Sequence, residues 1–192
     1  MKFDNHNMAE IKQYFPNLEL NSGNIRGEIE FSAQYIQNHR KQWIIEPCEP
    51  MQDHCVYGKY QVKIAPNNPS TPKVFETGGK IKSLAQKLGM QSFDLHLNVD
   101  DSCCLDYLLN FPEQLSASAF ILHKVYPFFV WQAYYDKFHT PPPVGEYSHG
   151  RRAAFHEFYK DLKNLKRNDR CICGSGKKFK KCCEVSLLQV ST

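Results

Sequence analysis

Hydrophobic and polar positions alternate with a period of two along several stretches in the first half of the chain. In the segment IRGEIEFSAQYI, residues 25–36, Ile25, Ile29 and Phe31 are separated by charged or polar neighbours. This period is typical of a half-buried strand. The same pattern predicts further strands over residues 42–47, 57–66 and 73–75. With a short amphipathic helix predicted over residues 7–15, the first half becomes a helix followed by a meander of three or four antiparallel strands.

The second half of the chain has helical patterns. Residues 116–138 are apolar nearly all round, which predicts a buried helix. We expect Pro127 to kink this helix or to lie in the first turn of its main segment. Residues 151–165 place apolar side chains at helical spacing and predict an amphipathic helix that packs on the core. The predicted fold class is therefore α+β, with an antiparallel four-stranded meander flanked by helices.

A cluster of cysteines near the end of the chain predicts a zinc site. Four of the eight cysteines lie within thirteen positions: Cys171, Cys173, Cys182 and Cys183. Zinc takes four tetrahedral ligands, and thiolate sulfur suits it. The intervening segment can reverse the chain because Gly174 and Gly176 tolerate positive φ. We predict one Zn²⁺ in a small module at residues 166–192; the alternative is a solvated basic tail with free thiols.

The segment CICGSGKKFKKCC closely resembles the SEC-C motif. This motif is the zinc module at the C-terminus of the SecA translocation ATPase and of many otherwise unrelated bacterial proteins. The resemblance implies the same four cysteines as ligands and a bacterial, cytoplasmic origin. It implies nothing about the rest of the chain, because the module is appended to many functions.

The positive charge of the chain is concentrated in the same tail. The formal net charge is +4, whereas residues 163–184 hold eight Lys or Arg against two acids, or +6. A nucleic-acid interface would therefore have to lie in the tail. Stacking on single strands needs several aromatic rings, and this segment has only Phe179. We predict a docking element that does not read a nucleic-acid sequence.

Apolar runs and cysteine usage predict a cytoplasmic location. No run approaches the ~18 apolar residues of a membrane helix, and the first residues show no secretory signal. A reducing compartment argues against disulfides, so Cys48 and Cys55 are expected to be ordinary thiols of the core or a strand edge. A metal group of Cys48, His54 and Cys55 is an alternative.

Residues 93–109, FDLHLNVDDSCCLDYLL, lack clear periodicity and lie between a predicted strand and the buried helix, where functional sites are common. Together with the preceding strands, this segment resembles the ubiquitin-conjugating (UBC) fold. Pro69-Ser70-Thr71-Pro72 matches that family's proline turn, His96-Leu97-Asn98 its His-Pro-Asn element, and Cys104-Leu105-Asp106 its catalytic cysteine. The resemblance implies a conjugating domain over residues 1–165. The departures are Leu97 in place of proline and a long link over residues 76–94.

The segment PVGEYSHG, residues 143–150, resembles a region of divergent bacterial UBC-like proteins from short type II CBASS anti-phage systems. In those systems a conjugating-type enzyme, without a separate activating enzyme, acts on a cGAS-like nucleotidyltransferase. The resemblance implies such a nucleotidyltransferase, through its C-terminus, as the protein partner. His149 in this segment is either an auxiliary group or a capping residue.

The UBC resemblance implies a thioester-forming acyl transferase that passes its acyl group to an amine not identified by the sequence. Cys104 is the predicted nucleophile, and Asn98 is the predicted oxyanion donor or, alternatively, a loop-stabilising side chain. We expect His96 to order the loop, and we do not expect it to act as a base. Cys103 is either a buried neighbour or a resolving thiol. Three acids near Cys104 are expected to raise its pKa: Asp100, Asp101 and Asp106.

Two other functions remain open on the sequence. The first is a non-catalytic UBC-like scaffold that holds a partner's C-terminal tail without transferring it. The second is an adaptor in which the SEC-C tail docks on a protein or ribosome. The cysteine at position 104 argues against the first, and the tail alone supports the second.

Overall fold

The computed structural model describes residues 3–50, 52–67, 70–105, 116–145, 166–169 and 178–181. The strands are β1 (Leu18–Asn21), β2 (Asn24–Gln37), β3 (Trp43–Pro47), β4 (Val56–Asn67) and β5 (Ser70–Glu76). The helices are α1 (Asn5–Tyr14), α2 (Lys80–Leu88), α3 (Ala117–Phe120) and α4 (Tyr126–Phe138). Short 3₁₀ turns cover Ser92–Leu95 and Phe179–Lys181, and a π-helical turn covers Ile121–Val125.

The chain divides into two compact units. The first comprises Met1–Asp106 and Glu113–Tyr147, and the second comprises Tyr107–Pro112 and Ser148–Thr192. The domain boundary predicted at residue 165 falls outside the described residues and stays a prediction, as does the helix predicted over residues 151–165.

The strands form one antiparallel sheet in the order β1-β2-β4-β5. β3 lies on the same edge of β2 as β1, because Ala33 pairs with Pro47 of β3 on that edge and with Val56 of β4 on the other. The predicted α+β class and antiparallel sheet are confirmed, with five strands in place of three or four. The prediction of a meander is wrong in part, because β3 pairs with β2 and not with the following strand β4.

The strand β1 is absent from the sequence prediction. It forms a hairpin with β2 through a turn at Ser22 and Gly23, whose φ angles are 49° and 76°. Two consecutive positive φ values are typical of the type I′ turn, which matches the twist of paired strands. The segment NSGN, residues 21–24, carries the sequence signal of this turn. The strand β1 itself is only four residues long, which is too short for alternation of polar and apolar residues to identify it.

The helix α2 is the second element that the sequence prediction missed. It buries Ile81, Leu84 and Ala85, which repeat at helical spacing. Gly89 ends the helix with a positive φ, as is common at a helix C-terminus. Gly79, which precedes the first residue, also has a positive φ. This helix explains why the link over residues 76–94 is long.

The predicted buried helix is confirmed as α3, the π-helical turn and α4. Ser116 caps its start by accepting a hydrogen bond from the amide of Ala119 at 3.1 Å. Pro127 is the second residue of α4, so the predicted place in the first turn of the main segment is correct. The side chains of Phe120, Phe128, Phe129 and Trp131 are almost fully buried in the core. Among the described residues, no helix has the length and apolarity to cross a membrane.

The structure joins Cys48 and Cys55 in a disulfide, so the prediction of ordinary thiols at these positions is wrong. The chain reverses between β3 and β4 through backbone hydrogen bonds from Gln52 to Glu49 and from Cys55 to Gln52. This turn brings the two Cα atoms to 6.0 Å, within the usual range for a disulfide. Since a reducing cytoplasm would keep such a pair as thiols, the cytoplasmic location stays a prediction.

Candidate active site at Cys104

Residues 96–104 form a small hairpin that is attached to the edge of the sheet. Leu97 bridges Cys103, and the amide of Asn98 donates to the carbonyl of Ser102 at 2.8 Å. The outer strand of the hairpin continues the sheet, because the amide of Cys103 donates to the carbonyl of Val74 in β5 at 2.7 Å. The hairpin therefore places Cys104 beside β5, the edge strand on the side of the sheet opposite β1.

Two lysines hold the turn of this hairpin. Asp100 lies 2.6 Å from the ammonium of Lys73 in β5, and Asp101 lies 2.8 Å from that of Lys82 in α2. Hydrogen bonds from Lys73 and then from Ser102 lower the pKa of Asp100 to about 2. The predicted negative charge near the cysteine is thus offset at two of its three acids, and Asp106 lies outside the described residues.

The two adjacent cysteines have different surroundings. Cys103 is 7% exposed, and burial raises the pKa of its thiol well above the usual value. Cys104 is half-buried and is not part of a disulfide. Because the thiolate is the nucleophile, Cys103 is held in its unreactive form. The predicted buried position of Cys103 is confirmed.

Asn98 and Ser102 lie on the same side of the hairpin, and the alternation of side chains along a strand predicts that Cys104 does too. The amide nitrogen of Asn98 donates to the hydroxyl of Ser102 at 3.0 Å, so these two side chains lie on the same side. Cys104 follows Ser102 by two positions, and side chains two apart on an extended strand point to the same face. Asn98 is exposed, and the amide has a second N–H beyond the one bonded to Ser102.

His96 is a buried support of the hairpin. It is 2% exposed, with a left-handed φ of 63°. Its ring meets that of Trp131 edge to face, with centroids 4.6 Å apart. The neighbouring carbonyl of Leu95 accepts a hydrogen bond of 2.8 Å from Gln132 in α4. These contacts agree with the predicted loop-ordering role.

Five residues that shape this site were absent from the sequence prediction: Lys73, Lys82, Ser102, Trp131 and Gln132. Lys82 lies on α2, and the helical spacing of the apolar residues in that segment could have predicted this helix. Ser102 bonds to Asn98 and Asp100 within its own hairpin. The partners of Lys73, Trp131 and Gln132 are distant along the chain, and no local pattern in the sequence indicates such contacts.

The four predicted zinc ligands lie outside the described residues, as does His149. The described parts of the tail pair with each other. The amide of Phe179 donates to the carbonyl of Asp169 at 2.8 Å, and the amide of Lys180 to that of Arg167 at 3.0 Å. Asp169 precedes Cys171 by two positions, and Lys180 precedes Cys182 by two. The segments that precede the two pairs of cysteines are therefore hydrogen-bonded to each other, as four ligands of one ion require. Four thiolates are also a ligand set that fits zinc.

The alternative metal group at Cys48, His54 and Cys55 is contradicted. Its two sulfur atoms are bonded to each other. Within the described part of the chain, no group of three or more His, Cys, Asp or Glu side chains is arranged to hold a metal ion.

Comparison with known families identifies only the tail. The model of the SEC-C motif, a zinc-binding type of motif, matches residues 167–184. No curated protein and no solved structure matches the chain. The SEC-C resemblance is therefore confirmed for this segment, and the UBC resemblance of the remaining residues stays a prediction.

Proposed function

We propose that the protein is a cysteine-dependent acyl transferase of the ubiquitin-conjugating type. In this proposal Cys104 forms a thioester with the C-terminus of a protein partner and then passes the acyl group to an amine. The order of the sequence motifs supports the proposal, and so does their position. Pro72 lies in β5, and the hairpin carrying His96, Asn98 and Cys104 pairs with that same strand.

One observation carries the proposal: of two adjacent cysteines, one is buried and the other is half-buried, in a hairpin that also carries an exposed side-chain amide. Cys104 is partly exposed and Asn98, in the same hairpin, is exposed, whereas Cys103 is buried. An acyl transferase needs both an accessible thiol and a hydrogen-bond donor for the developing oxyanion. A structural role for the pair would not require Cys104 to be accessible.

The proposed reaction has two substitutions at one carbonyl carbon. The Cys104 thiolate adds to the carbonyl carbon of a C-terminal acyl group of the partner that is activated as an acyl phosphate or acyl adenylate. The C–S bond forms in this addition, and the tetrahedral intermediate then expels the phosphate or nucleotide as the leaving group. An amine then adds to the thioester, the C–S bond breaks, and the thiolate is released while the amine loses a proton. The free N–H of Asn98 would donate to the oxyanion of each tetrahedral intermediate.

We further propose a cGAS-like nucleotidyltransferase as the partner and anti-phage defence as the setting. The support is the resemblance of residues 143–150 to divergent UBC-like proteins of CBASS systems. The structure describes residues 143–145 of that segment, and residues 146–150 lie outside the described residues.

The proposal is tested by co-expressing the protein with a cGAS-like nucleotidyltransferase encoded beside it. Intact mass spectrometry should then detect a covalent adduct that dithiothreitol cleaves, because thiols exchange with thioesters. A partner that binds tightly without forming any adduct would contradict the proposal and would favour a non-catalytic UBC-like scaffold.

A further inference from the structure

Ser102 has a buried hydroxyl at the centre of a chain of hydrogen bonds in the hairpin. Its side chain is 5% exposed. The hydroxyl donates to the carboxylate of Asp100 at 2.6 Å and accepts from the amide nitrogen of Asn98 at 3.0 Å. Asp100 in turn lies 2.6 Å from the ammonium of Lys73 in β5. Four side chains are thus linked, from a cation in the sheet to the proposed oxyanion donor.

The carboxylate of Asp100 decides the direction of these hydrogen bonds. An ionised carboxylate can only accept, and a serine hydroxyl has one proton to donate. Hydrogen bonds from Lys73 and then from Ser102 lower the pKa of Asp100 to about 2, so this group is ionised at neutral pH. The proton of Ser102 is therefore given to Asp100, and the lone pairs of the Ser102 oxygen can only accept from Asn98.

This direction selects one of the two orientations of the Asn98 amide. The oxygen and nitrogen of a side-chain amide have nearly the same shape, and only the nitrogen can donate to Ser102. The opposite orientation would exchange the two atoms and move the N–H donors to the other side of the amide. Without the carboxylate of Asp100, the hydroxyl could donate to the amide oxygen instead, and both orientations would be allowed.

We propose that Ser102 is a positioning residue, which holds the amide of Asn98 in the orientation that donates to the oxyanion. This inference rests on the function proposed for Asn98 and Cys104. A hydrogen-bond donor stabilises developing charge best when its orientation is set before the reaction. Ser102 sets that orientation through Asn98, without touching the reacting atoms, and Asp100 keeps the hydroxyl in its accepting role.

The orientation of the amide is tested first by nuclear magnetic resonance of the full-length protein, without any reaction. The side-chain N–H protons of Asn98 should show a nuclear Overhauser effect to the β protons of Ser102. Asp100→Ala leaves the Ser102 proton without its acceptor, so we expect this contact to weaken or disappear. Asp100 is exposed, so this variant should fold normally.

Asp101→Asn is the matched control for Asp100→Ala. It removes the same charge from the neighbouring acid, which pairs with Lys82 at 2.8 Å. Asparagine also tolerates the positive φ of 64° at position 101. The contact between the Asn98 amide and Ser102 should persist in this control. A contact that is absent from the wild type, or equally strong in Asp100→Ala, would overturn the proposal.

The second readout is the rate at which free lysine discharges the Cys104 thioester, which is formed by co-expression and followed by intact mass. Asn98→Ala should slow this discharge on the order of 10²-fold. Ser102→Ala and Asp100→Ala should each slow it by about tenfold or more, because the donor is no longer held in one orientation. Ser102→Thr keeps the hydroxyl and should retain most of the rate.

A double variant separates positioning from a merely structural role. Ser102→Ala should cause no further slowing when it is added to Asn98→Ala, because Ser102 acts through Asn98. Asp100→Ala serves in the same comparison if Ser102→Ala does not fold. Further slowing in the double variant, or a wild-type rate in both single variants, would overturn the proposal. A wild type that forms no thioester would contradict the proposed function instead, and the resonance comparison would still decide whether Ser102 orients Asn98.

Discussion

The amide nitrogen of Cys104 donates a hydrogen bond of 2.8 Å to the carbonyl oxygen of His96. This bond joins the proposed nucleophile to a residue that is buried against Trp131 of α4. The position of the Cys104 thiol therefore depends on the packing of a histidine that lies eight positions earlier in the chain. The contacts of His96 support the site through its ring packing and its backbone carbonyl, and we predict that it does not act as an acid or base.

Replacement of His96 tests this supporting role. His96→Ala removes a buried ring, and we expect the free energy of unfolding to fall by roughly 1–3 kcal/mol. The measurement is urea denaturation of the full chain. His123→Ala is the matched control, because His123 is exposed, and its free energy of unfolding should change by no more than about 0.5 kcal/mol. Equal stability of the two variants would contradict the supporting role.

Titration of Asp100 tests the lysine contacts of the hairpin. Its pKa lies at about 2 in the folded protein, below the ordinary value of about 3.9. A lowered carboxyl pKa stabilises the fold above the ordinary value, and this stabilisation is lost as the pH falls from about 4 to about 2. The carboxyl carbon signal of Asp100, followed by nuclear magnetic resonance, should titrate near pH 2.

Removal of the lysine partner provides the control for this titration. Lys73→Gln should move the Asp100 midpoint upward, whereas Lys82→Gln, whose partner is Asp101, should move it less. A wild-type midpoint near pH 4 would show that the contact between Asp100 and Lys73 does not form in solution.

The sequence alone predicts the sheet better than it predicts the site. Alternation identified β2 and β4 because each has one buried and one exposed face. Alternation did not identify β1, because this strand is too short. The sequence also did not predict the disulfide, because that bond depends on a turn between β3 and β4. The hairpin could be located by its motif, but its contacts with Lys73 and Trp131 could not be predicted. These contacts join residues far apart in the chain, and only the folded sheet brings them together.

The tail is predicted to hold one zinc ion per chain. Cys182→Ser combined with Cys183→Ser should reduce the zinc content to near zero, because a structural site needs all four ligands. Inductively coupled plasma mass spectrometry of the purified full chain gives the ratio of metal to protein. Cys48→Ser is the control and should keep its zinc, since Cys48 is bonded to Cys55 and not to a metal. Stoichiometric zinc in the double variant would place the ion elsewhere.

The basic tail is predicted to bind nucleic acid only weakly and without sequence preference. Phe179, the only aromatic ring in residues 163–184, is 7% exposed and so cannot stack on a base without leaving its buried position. Fluorescence anisotropy with unrelated single strands should give similar, weak affinities that fall steeply with added salt. A strong preference for one sequence at physiological salt would contradict this prediction.

The central claim is that Cys104 carries the thioester, and a comparison of two neighbouring cysteine variants tests it most directly. The protein, as wild type, Cys104→Ser or Cys103→Ser, is co-expressed with the proposed nucleotidyltransferase partner. Each sample is measured by intact mass with and without dithiothreitol. We predict a dithiothreitol-sensitive adduct in the wild type and in Cys103→Ser, because the Cys103 side chain is buried. Cys104→Ser should give either no adduct or an ester that resists dithiothreitol. A dithiothreitol-sensitive adduct that persists in Cys104→Ser, or that disappears in Cys103→Ser alone, would contradict the account.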